Sequence, residues 1–494
     1  MRAAEVFSLD MPARMRRVHL LGICGVAMAS LAGLFRQSGF FEVTGSDDNV
    51  YPPMSDFVAA LGIDVLRGFK AEHVSRAAPD LVVIGNAIRR ENPEAQAVLA
   101  QGVPYLSLPE AISRFFLTDK TSLVIAGTHG KTTTSALTAW LLEAAGLKPG
   151  FMIGGIARNF SRGCRLAEGE HFVLEGDEYD TAFFDKGPKF LHYRPMLTVV
   201  TGVEFDHADI YADLDAVKES FRGLLRIIPP EGLLLAYSGC PNLRGLLSEA
   251  RCRVQIYGSS DDAEWRAVGQ EFGQGGTSFE LRRGEHFSFG RFNSPLHGLH
   301  NLHNTVAAMA LAMHAGADTE RLREGLKGFE GVARRQEVKG EIGGITLIED
   351  FAHHPTAVRE TLAALKAAYG DRRLLCAFEP RTNSSRRNIF QAEYSRSFGA
   401  ADVCLIREAP GLDKIPDAER FSSRRLTEDL RAAGTPAHFF ADTEALVGYL
   451  AGESRPGDVI VTMSNGGFDD IQGRLAVALR RRFDPGLPPV EPGT

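Results

Sequence analysis

The chain has 494 residues, with 55 Lys plus Arg against 62 Asp plus Glu, a formal net charge of −7. At roughly 100 to 200 residues per domain, that length calls for about three domains, and 44% hydrophobic with 24% charged residues excludes disordered, coiled-coil and collagen-like classes. The acidic balance provides no sequence-wide basic field for a nucleic-acid backbone, so nucleic acid is not an expected partner.

Residues 1 to 16 read as a loose extension whose length depends on the choice of start codon. Arg16-Arg17 and the apolar run Val18 to Phe35 imitate a twin-arginine or other secretory signal, down to an Ala-Met-Ala triplet at Ala27 to Ala29. Gly22, Gly25 and Gly33 punctuate that run and His19 interrupts it, so VHLLG is predicted to be a buried strand feeding a helix. No other segment offers the roughly 18 apolar residues of a membrane span, and no membrane partner is expected. From Arg17 to Leu117, strands (RVHLLG, FEVTGSD, DLVVIGN, VPYLSL) alternate with helices, the rhythm of a parallel α/β sheet.

The polar step TDKTS marks a boundary, after which the strand, glycine loop and helix sequence starts afresh in LVIAGTHGKTTTSALTAWLLEAAG. The middle block continues through strands HFVLE and LTVVT, a helix ending LLRII, a hairpin-like stretch around Gly273 to Gly290 and the long helix NTVAAMALAMHAG. A third block interleaves strands GITLIEDF, RRLLCAF, ADVCLIRE, AHFFAD and GDVIVTMS with helices, a second doubly wound pattern. The expected division is an N-terminal Rossmann-like domain over 17–118, a central P-loop ATPase domain over 119–332, a C-terminal Rossmann-like domain over 333–483 and a flexible Pro-rich tail over 484–494. Six scattered cysteines (Cys24, Cys164, Cys240, Cys252, Cys376, Cys404) form no CxxC pair and read as reduced, buried thiols.

SLVIAGTHGKTTTSAL carries the most chemistry. A buried strand enters a loop with Gly127, Gly130, Lys131 and Thr132, and a helix begins at once. Backbone N–H groups and the macrodipole at such a helix start cradle phosphates. Lys131 supplies a point charge to the terminal phosphates, and the Thr132 hydroxyl is a Mg²⁺ ligand. A general Walker pattern needs glycine at 125, where Ile125 stands, so this loop is two residues tighter. Two strand ends offer carboxylates to the same metal: EGDEYD delivers Glu175, Asp177 and Glu178, and EFDHAD delivers Glu204, Asp206 and His207. Mg²⁺ takes one or two carboxylates beside nucleotide phosphates, which makes Glu175 a candidate ligand.

In the first block, GICGVAMASL (Gly22 to Leu31) joins a strand to a helix, and Ser46-Asp47 ends the next strand. The core is only GxxG, so it reads as an anion site for a diphosphate such as a nucleotide sugar rather than a nicotinamide site. Asp47 is also readable as a helix cap or turn residue.

Taken together, GICGVAM, AGTHGKTTT, EGDEYD, EFDHAD, GLHNLHNTVAA, GVARRQE and EDFAHHP, in this order from Arg17 to Leu479, resemble the Mur ligases, ATP-dependent amide-bond-forming enzymes of peptidoglycan metabolism. The resemblance implies the cofactors ATP and Mg²⁺ and a cytoplasmic enzyme. It places Gly22, Ile23, Cys24, Gly25, Val26, Ser46, Asp47 and Asn86 around the UDP sugar, and Gly127, Thr128, His129, Gly130, Lys131, Thr132 and Thr133 around the ATP phosphates. Thr132, Glu175 and His207 would surround magnesium; His300, Asn301 and Asn304 would approach adenine and Asp350 its ribose. Arg334, His353, His354, Arg381 and Arg386 would meet phosphate or substrate as the third domain closes, although the pair Arg334-Arg335 is equally readable as surface charge. Lys186 and Lys189 lie near the acidic segment without matching the carbamylated lysine that some members carry.

EGDEYDTAFFDKGPKFLHY, IGNAIRRENPE and MSNGGF are most similar to the branch that joins UDP-N-acetylmuramic acid to the murein tripeptide L-Ala-γ-D-Glu-meso-diaminopimelate in peptidoglycan recycling. The implied route is an acyl phosphate on the lactyl carboxylate, displaced by the peptide amine, with His207 or a nearby carboxylate as base. The alternatives are the L-alanine-adding branch and a non-catalytic nucleotide- and UDP-sugar-binding switch. Oligomeric state and a lysine-containing peptide stay open.

Overall fold

The structure is a computed structural model that describes residues 15–39, 41–51 and 54–483. Most of the expected N-terminal extension and the whole expected tail lie outside the described residues. Three large sheets organise the chain, beside a two-stranded hairpin of Asp180–Ala182 and Asp185–Pro188. The first is five-stranded and parallel, in the order Val65–Arg67, Glu42–Asp47, Arg17–Leu21, Leu81–Ile84, Tyr105–Ser107. Arg17–Leu21 is its middle strand, with Val18 to Leu21 buried; that central position explains an apolar run that resembles a signal segment. Val65–Arg67 is an edge strand of three residues that the sequence pattern does not show, because its side chains are only half-buried or exposed. A capping box between Ser107 and Glu110 starts helix Leu108–Phe116, which closes this unit.

The second sheet has ten strands around the parallel core Leu233–Tyr237, Leu197–Val200, Thr121–Ala126, His171–Gly176. Leu123 to Ala126 are wholly buried, as expected of a parallel strand covered on both faces. Helices Lys131–Ala144 and Leu299–His314 pack together on one face, and the latter has an unbroken buried run from Asn301 to Ala312. The glycine-rich stretch forms an antiparallel trio, Trp265–Gly273, Gly276–Arg283 and Phe287–Ser294, at one edge of this sheet.

The third sheet runs Glu337–Ile342, Ile345–Asp350, Val459–Met463, Leu374–Phe378, Val403–Arg407, Ala437–Phe440. Only the edge strand Glu337–Ile342 is antiparallel, hairpinned through Gly343 and Gly344, both in the left-handed region. The final strand returns to the middle, so the carboxyl ends at Asp350, Met463 and Phe378 lie side by side. All six cysteines are free; four are buried, while Cys24 and Cys252 are partly exposed. Among the described residues, no helix is long and apolar enough to cross a membrane.

Candidate active site

Strand Thr121–Ala126 delivers the glycine loop 127–130, the candidate phosphate loop. Gly127 has φ 125° and an added Cβ would collide with Thr201, while Gly130, at φ 80°, sits against the Asn304 amide. Both positions therefore need glycine. Helix Lys131–Ala144 starts immediately after Gly130, so its first N–H groups face the loop mouth. Thr128 N–H donates to Gly202 O (3.0 Å) and Glu204 N–H to Thr128 Oγ1 (2.9 Å), fixing the loop to the end of strand Leu197–Val200.

The strand ends converge on Lys131. Its Nζ donates to Glu178 Oε2 and to Gly127 O, each at 2.7 Å. Thr132 Oγ1 donates to Glu175 Oε1 (2.9 Å), whose other oxygen accepts Gly154 N–H (2.8 Å). His207 Nε2 lies 3.4 Å from Glu178 Oε1, a buried oxygen with no hydrogen bond. His207 itself adopts φ 54°, a left-handed conformation rare for a non-glycine residue. Asp206 Oδ1 accepts its N–H at 2.7 Å.

Charge and burial compete here. Burial opposes ionisation of Lys131, but Glu178, Asp177 and Glu175 outweigh it and hold its pKa above the ordinary value. Burial raises Glu175, with Asp177 adding to the effect. Glu178 is held low despite burial, by Lys131 and His207, and Asp177 by Lys189 and Lys131. Lys189 is buried, 3.1 Å from Asp177 Oδ2 with its ammonium over the Tyr179 ring, whereas Lys186 is exposed and paired to Asp180. Two cations thus sit among three carboxylates, an arrangement suited to receiving phosphate and a divalent cation.

Beyond helix Leu299–His314 the chain crosses to the third sheet through Arg334 and Gln336, both at positive φ. Arg334 does not face the loop: it binds Glu349 (2.7 Å), Ser464 O (2.8 Å) and Gly466 O. Its neighbour Arg335 reaches back, with Nη2 3.3 Å from Thr132 Oγ1 and its guanidinium over the Phe351 ring. Neither is a solvated surface charge, and the phosphate-loop contact belongs to the arginine that sequence position did not select. Asp350 is buried, and its carboxylate accepts Gln336 N–H and Ala352 N–H (2.7 Å each). These bonds brace the crossover. His300, Asn301 and Asn304 do gather beside the loop: Asn304 donates to Asn301 Oδ1 (3.1 Å), and Gln336 approaches both Asn301 and His300.

The third sheet also contacts the central strand ends. Ser384 Oγ donates to Asp206 Oδ1 and accepts Ala208 N–H, both at 3.2 Å, and Asn383 donates to Asp209 (2.8 Å). His354 and Thr356 meet Phe205 O and Glu204, and His353 lies 4.0 Å from Asp206. Arg381 and Arg386 lie within the third unit: Arg381 packs on Gly466 and pairs with buried Glu379 (3.4 Å), and Arg386 binds Thr382 O and Asn383 Oδ1. Glu379 also binds Ser464 (2.8 Å) and Arg407 (3.5 Å). Sequence reading gave Arg335 no role beyond surface charge and passed over Glu379 and Ser384, which no local pattern marks, whereas Asp177, Glu178, Glu204 and Asp206 carried a signal in their place in two acidic strand ends.

At the first sheet, Gly22 (φ 80°) and Gly25 shape the turn into helix Val26–Ser38, and Asp47 Oδ2 accepts Cys24 N–H at 2.9 Å. Asp47 Oδ1 also accepts Asn49 N–H (2.8 Å), so the turn role and the loop-bracing role coexist. Ile23 and the Ser46 side chain are buried under the loop rather than displayed on it. Ser46 Oγ donates to Glu94, a wholly buried carboxylate that also meets His73 Nδ1 (2.5 Å), His19 Nε2 (3.4 Å) and Lys70 N–H (3.1 Å). The Ser46 carbonyl takes Gly22 and Ile23 N–H. Val26 and Asn86 are exposed beside the turn.

Comparison with known proteins agrees with this layout. Residues 17–119, 125–312 and 334–466 match, respectively, the catalytic domain of the Mur ligase family, the Mur ligase middle domain and the Mur ligase glutamate ligase domain. The chain is 40% identical over 471 residues to the UDP-N-acetylmuramate–L-alanyl-γ-D-glutamyl-meso-2,6-diaminoheptandioate ligase of Escherichia coli, covering 95% of this chain and 99% of that one. It is 35% identical over 484 residues to the UDP-N-acetylmuramate–L-alanine ligase of Sorangium cellulosum, covering 97% and 98%. The crystal structure of a murein peptide ligase from Psychrobacter arcticus superimposes with a TM-score of 0.71 at 33% identity, covering 94% of this chain and 98% of that chain. With all three blocks matched in order and nearly the full length shared, the chain belongs to the Mur ligase family.

Proposed function

We propose that this protein is the ATP-dependent ligase that joins the free amine of L-alanyl-γ-D-glutamyl-meso-diaminopimelate to the lactyl carboxylate of UDP-N-acetylmuramic acid, in the cytoplasm, to recycle wall peptide. The observation that carries the choice of peptide is the 40% identity across 95% of the chain to the Escherichia coli tripeptide ligase. The L-alanine-adding relative is less similar, at 35%. We take 17–118, 119–332 and 333–483 as the UDP-sugar, ATP and peptide domains.

The γ-phosphate of ATP passes to the lactyl carboxylate to give an acyl phosphate and ADP, and the peptide amine then displaces phosphate. Both steps build negative charge on oxygen, so fixed positive groups and dipoles do the work and no side-chain nucleophile is needed. Lys131, released from Glu178 by an incoming phosphate, meets that charge together with the helix start at Gly130 and Arg335. The buried Glu178 oxygen without a hydrogen bond and the Thr132–Glu175 pair fit a divalent cation, and Thr132, Glu175 and His207 would hold Mg²⁺. Bound there, Mg²⁺ neutralises the terminal phosphates. Contacts from Ser384 and Asn383 to the 206–209 turn close the third unit over the site and keep water from the acyl phosphate.

The test is phosphate release with ATP, Mg²⁺ and UDP-N-acetylmuramic acid, with either the tripeptide or L-alanine as amine and products weighed by mass spectrometry. Tripeptide-dependent release is expected. Release with L-alanine alone would move the chain to the L-alanine-adding branch, and silence with both would leave a nucleotide- and sugar-binding protein.

A further inference from the structure

His129, Glu204 and His354 come from three different segments: the loop before Lys131, the irregular stretch that follows strand Leu197–Val200, and the turn before helix Pro355–Tyr369 of the third unit. One ligand atom from each lies within 4.8 Å of the others. His129 Nε2 to Glu204 Oε2 is 3.4 Å, and His354 Nδ1 to the same oxygen is 3.9 Å. Donors bound at 2.0 to 2.1 Å to a tetrahedral ion stand about 3.4 Å apart, so little movement closes this set.

The surroundings are those of a prepared site. His354 Nε2–H donates to Phe205 O (3.2 Å), which fixes the tautomer and leaves the Nδ1 lone pair facing Glu204. Thr356 Oγ1 donates to Glu204 Oε2 at 2.8 Å, holding the carboxylate in place. The competing donor at Nδ1 is Thr356 N–H, at a long 3.3 Å. Two imidazoles and one carboxylate make a nitrogen-rich set that suits a zinc-type first-row ion, whereas the hard Mg²⁺ ion favours oxygen donors, which are the majority only in the Thr132, Glu175 and His207 group.

We infer that His129, Glu204 and His354 form a second divalent-metal site, for an ion of the Zn²⁺ type, separate from the Thr132, Glu175 and His207 group. Because His354 belongs to the third unit and His129 immediately precedes Gly130 and Lys131, an ion here staples that unit to the phosphate loop. Occupancy slows any turnover that requires the two to part.

The binding test does not depend on the ligase reading. The full-length protein is titrated with Co²⁺, followed by visible absorption, and its thermal unfolding is recorded with and without one equivalent of Zn²⁺. One equivalent of four- or five-coordinate Co²⁺ is expected, retained in His207→Ala and lost in Glu204→Gln. Zn²⁺ raises the wild-type unfolding midpoint by about 3 °C and leaves that of Glu204→Gln unmoved. A cooperative transition in the variant shows that it folds. Cobalt lost in His207→Ala but kept in Glu204→Gln, or no stoichiometric band in the wild type, overturns the site. With tripeptide-dependent phosphate release assayed at saturating Mg²⁺, Zn²⁺ slows the wild type at least about tenfold and Glu204→Gln less than about twofold relative to its own rate. Tight binding without such slowing overturns the staple.

Discussion

Lys131→Ala separates stability from chemistry in one residue. The side chain is 11% exposed and its partner Glu178 3%, with donor and acceptor 2.7 Å apart. Removing one member of a buried pair costs about 3 to 5 kcal/mol, because the partner is left charged and unpaired. Here the burden is heavier, since Glu175 and Asp177 also face the ammonium. For a domain of 150 to 250 residues, about 2 to 4 °C per kcal/mol translates this into a fall of about 6 to 20 °C in the central-domain transition. Glu178→Gln in the same chain removes the orphaned charge, and the double variant should recover at least about 2 kcal/mol of the loss. Activity should not follow: both single and double variants lose at least about a thousandfold in ATP-dependent phosphate release, while UDP-N-acetylmuramic acid still binds the first domain. Thermal unfolding of the four species without nucleotide, with calorimetric sugar binding, checks each part. A Lys131→Ala protein melting with the wild type, or a double variant no more stable than the single one, refutes the reasoning.

Arg335→Lys keeps the charge but loses the planar reach to Thr132, and a drop in kcat of about tenfold or more is expected with unchanged sugar KM; Arg334→Ala should instead lower the third unit's unfolding midpoint, and equal kinetic defects in both would contradict the division. Asp47→Ala frees Cys24 N–H and loosens the turn at Gly22, so the sugar KM should rise about five- to thirtyfold at constant ATP KM, read by steady-state kinetics. Burial, above other causes, holds His300 and His303 at about 4 and His354 at about 3, below the ordinary 6.5. The folded state then binds fewer protons than the unfolded chain, so this stability is present above pH 6.5 and lost as pH falls towards 4, at about 1.4 kcal/mol per pH unit for each histidine. Unfolding midpoints between pH 7.5 and 4.5 should fall less steeply in His303→Gln than in the wild type; equal slopes would exclude the histidine from the effect.

What could be read from the chain was whatever is encoded locally. The parallel strands announce themselves because a strand covered on both faces is a continuous apolar run, as in Leu123 to Ala126 or Leu374 to Phe378. The phosphate loop is equally local: Gly127, Gly130, Lys131 and Thr132 act within one strand-to-helix turn. Short edge strands such as Val65–Arg67 escaped because half-exposed residues leave no such run.

Sequence by itself therefore determined the α/β class, the three successive blocks and the glycine-rich strand-to-helix loops at Gly22 to Gly25 and Gly127 to Gly130, because each follows from periodicity and backbone conformation over a few residues. Tertiary structure alone decided which of two adjacent arginines turns towards Thr132, since positive φ at Arg334 and Gln336 sets the directions of the crossover. It also decided that Asp350 braces that crossover, that Ser46 is tethered from below by Glu94, and that Ser384 and His354 reach the strand ends near His207. These contacts join residues 14 to 203 positions apart, and no local pattern constrains such a pairing. Only the packing of one sheet's carboxyl ends against another's does so.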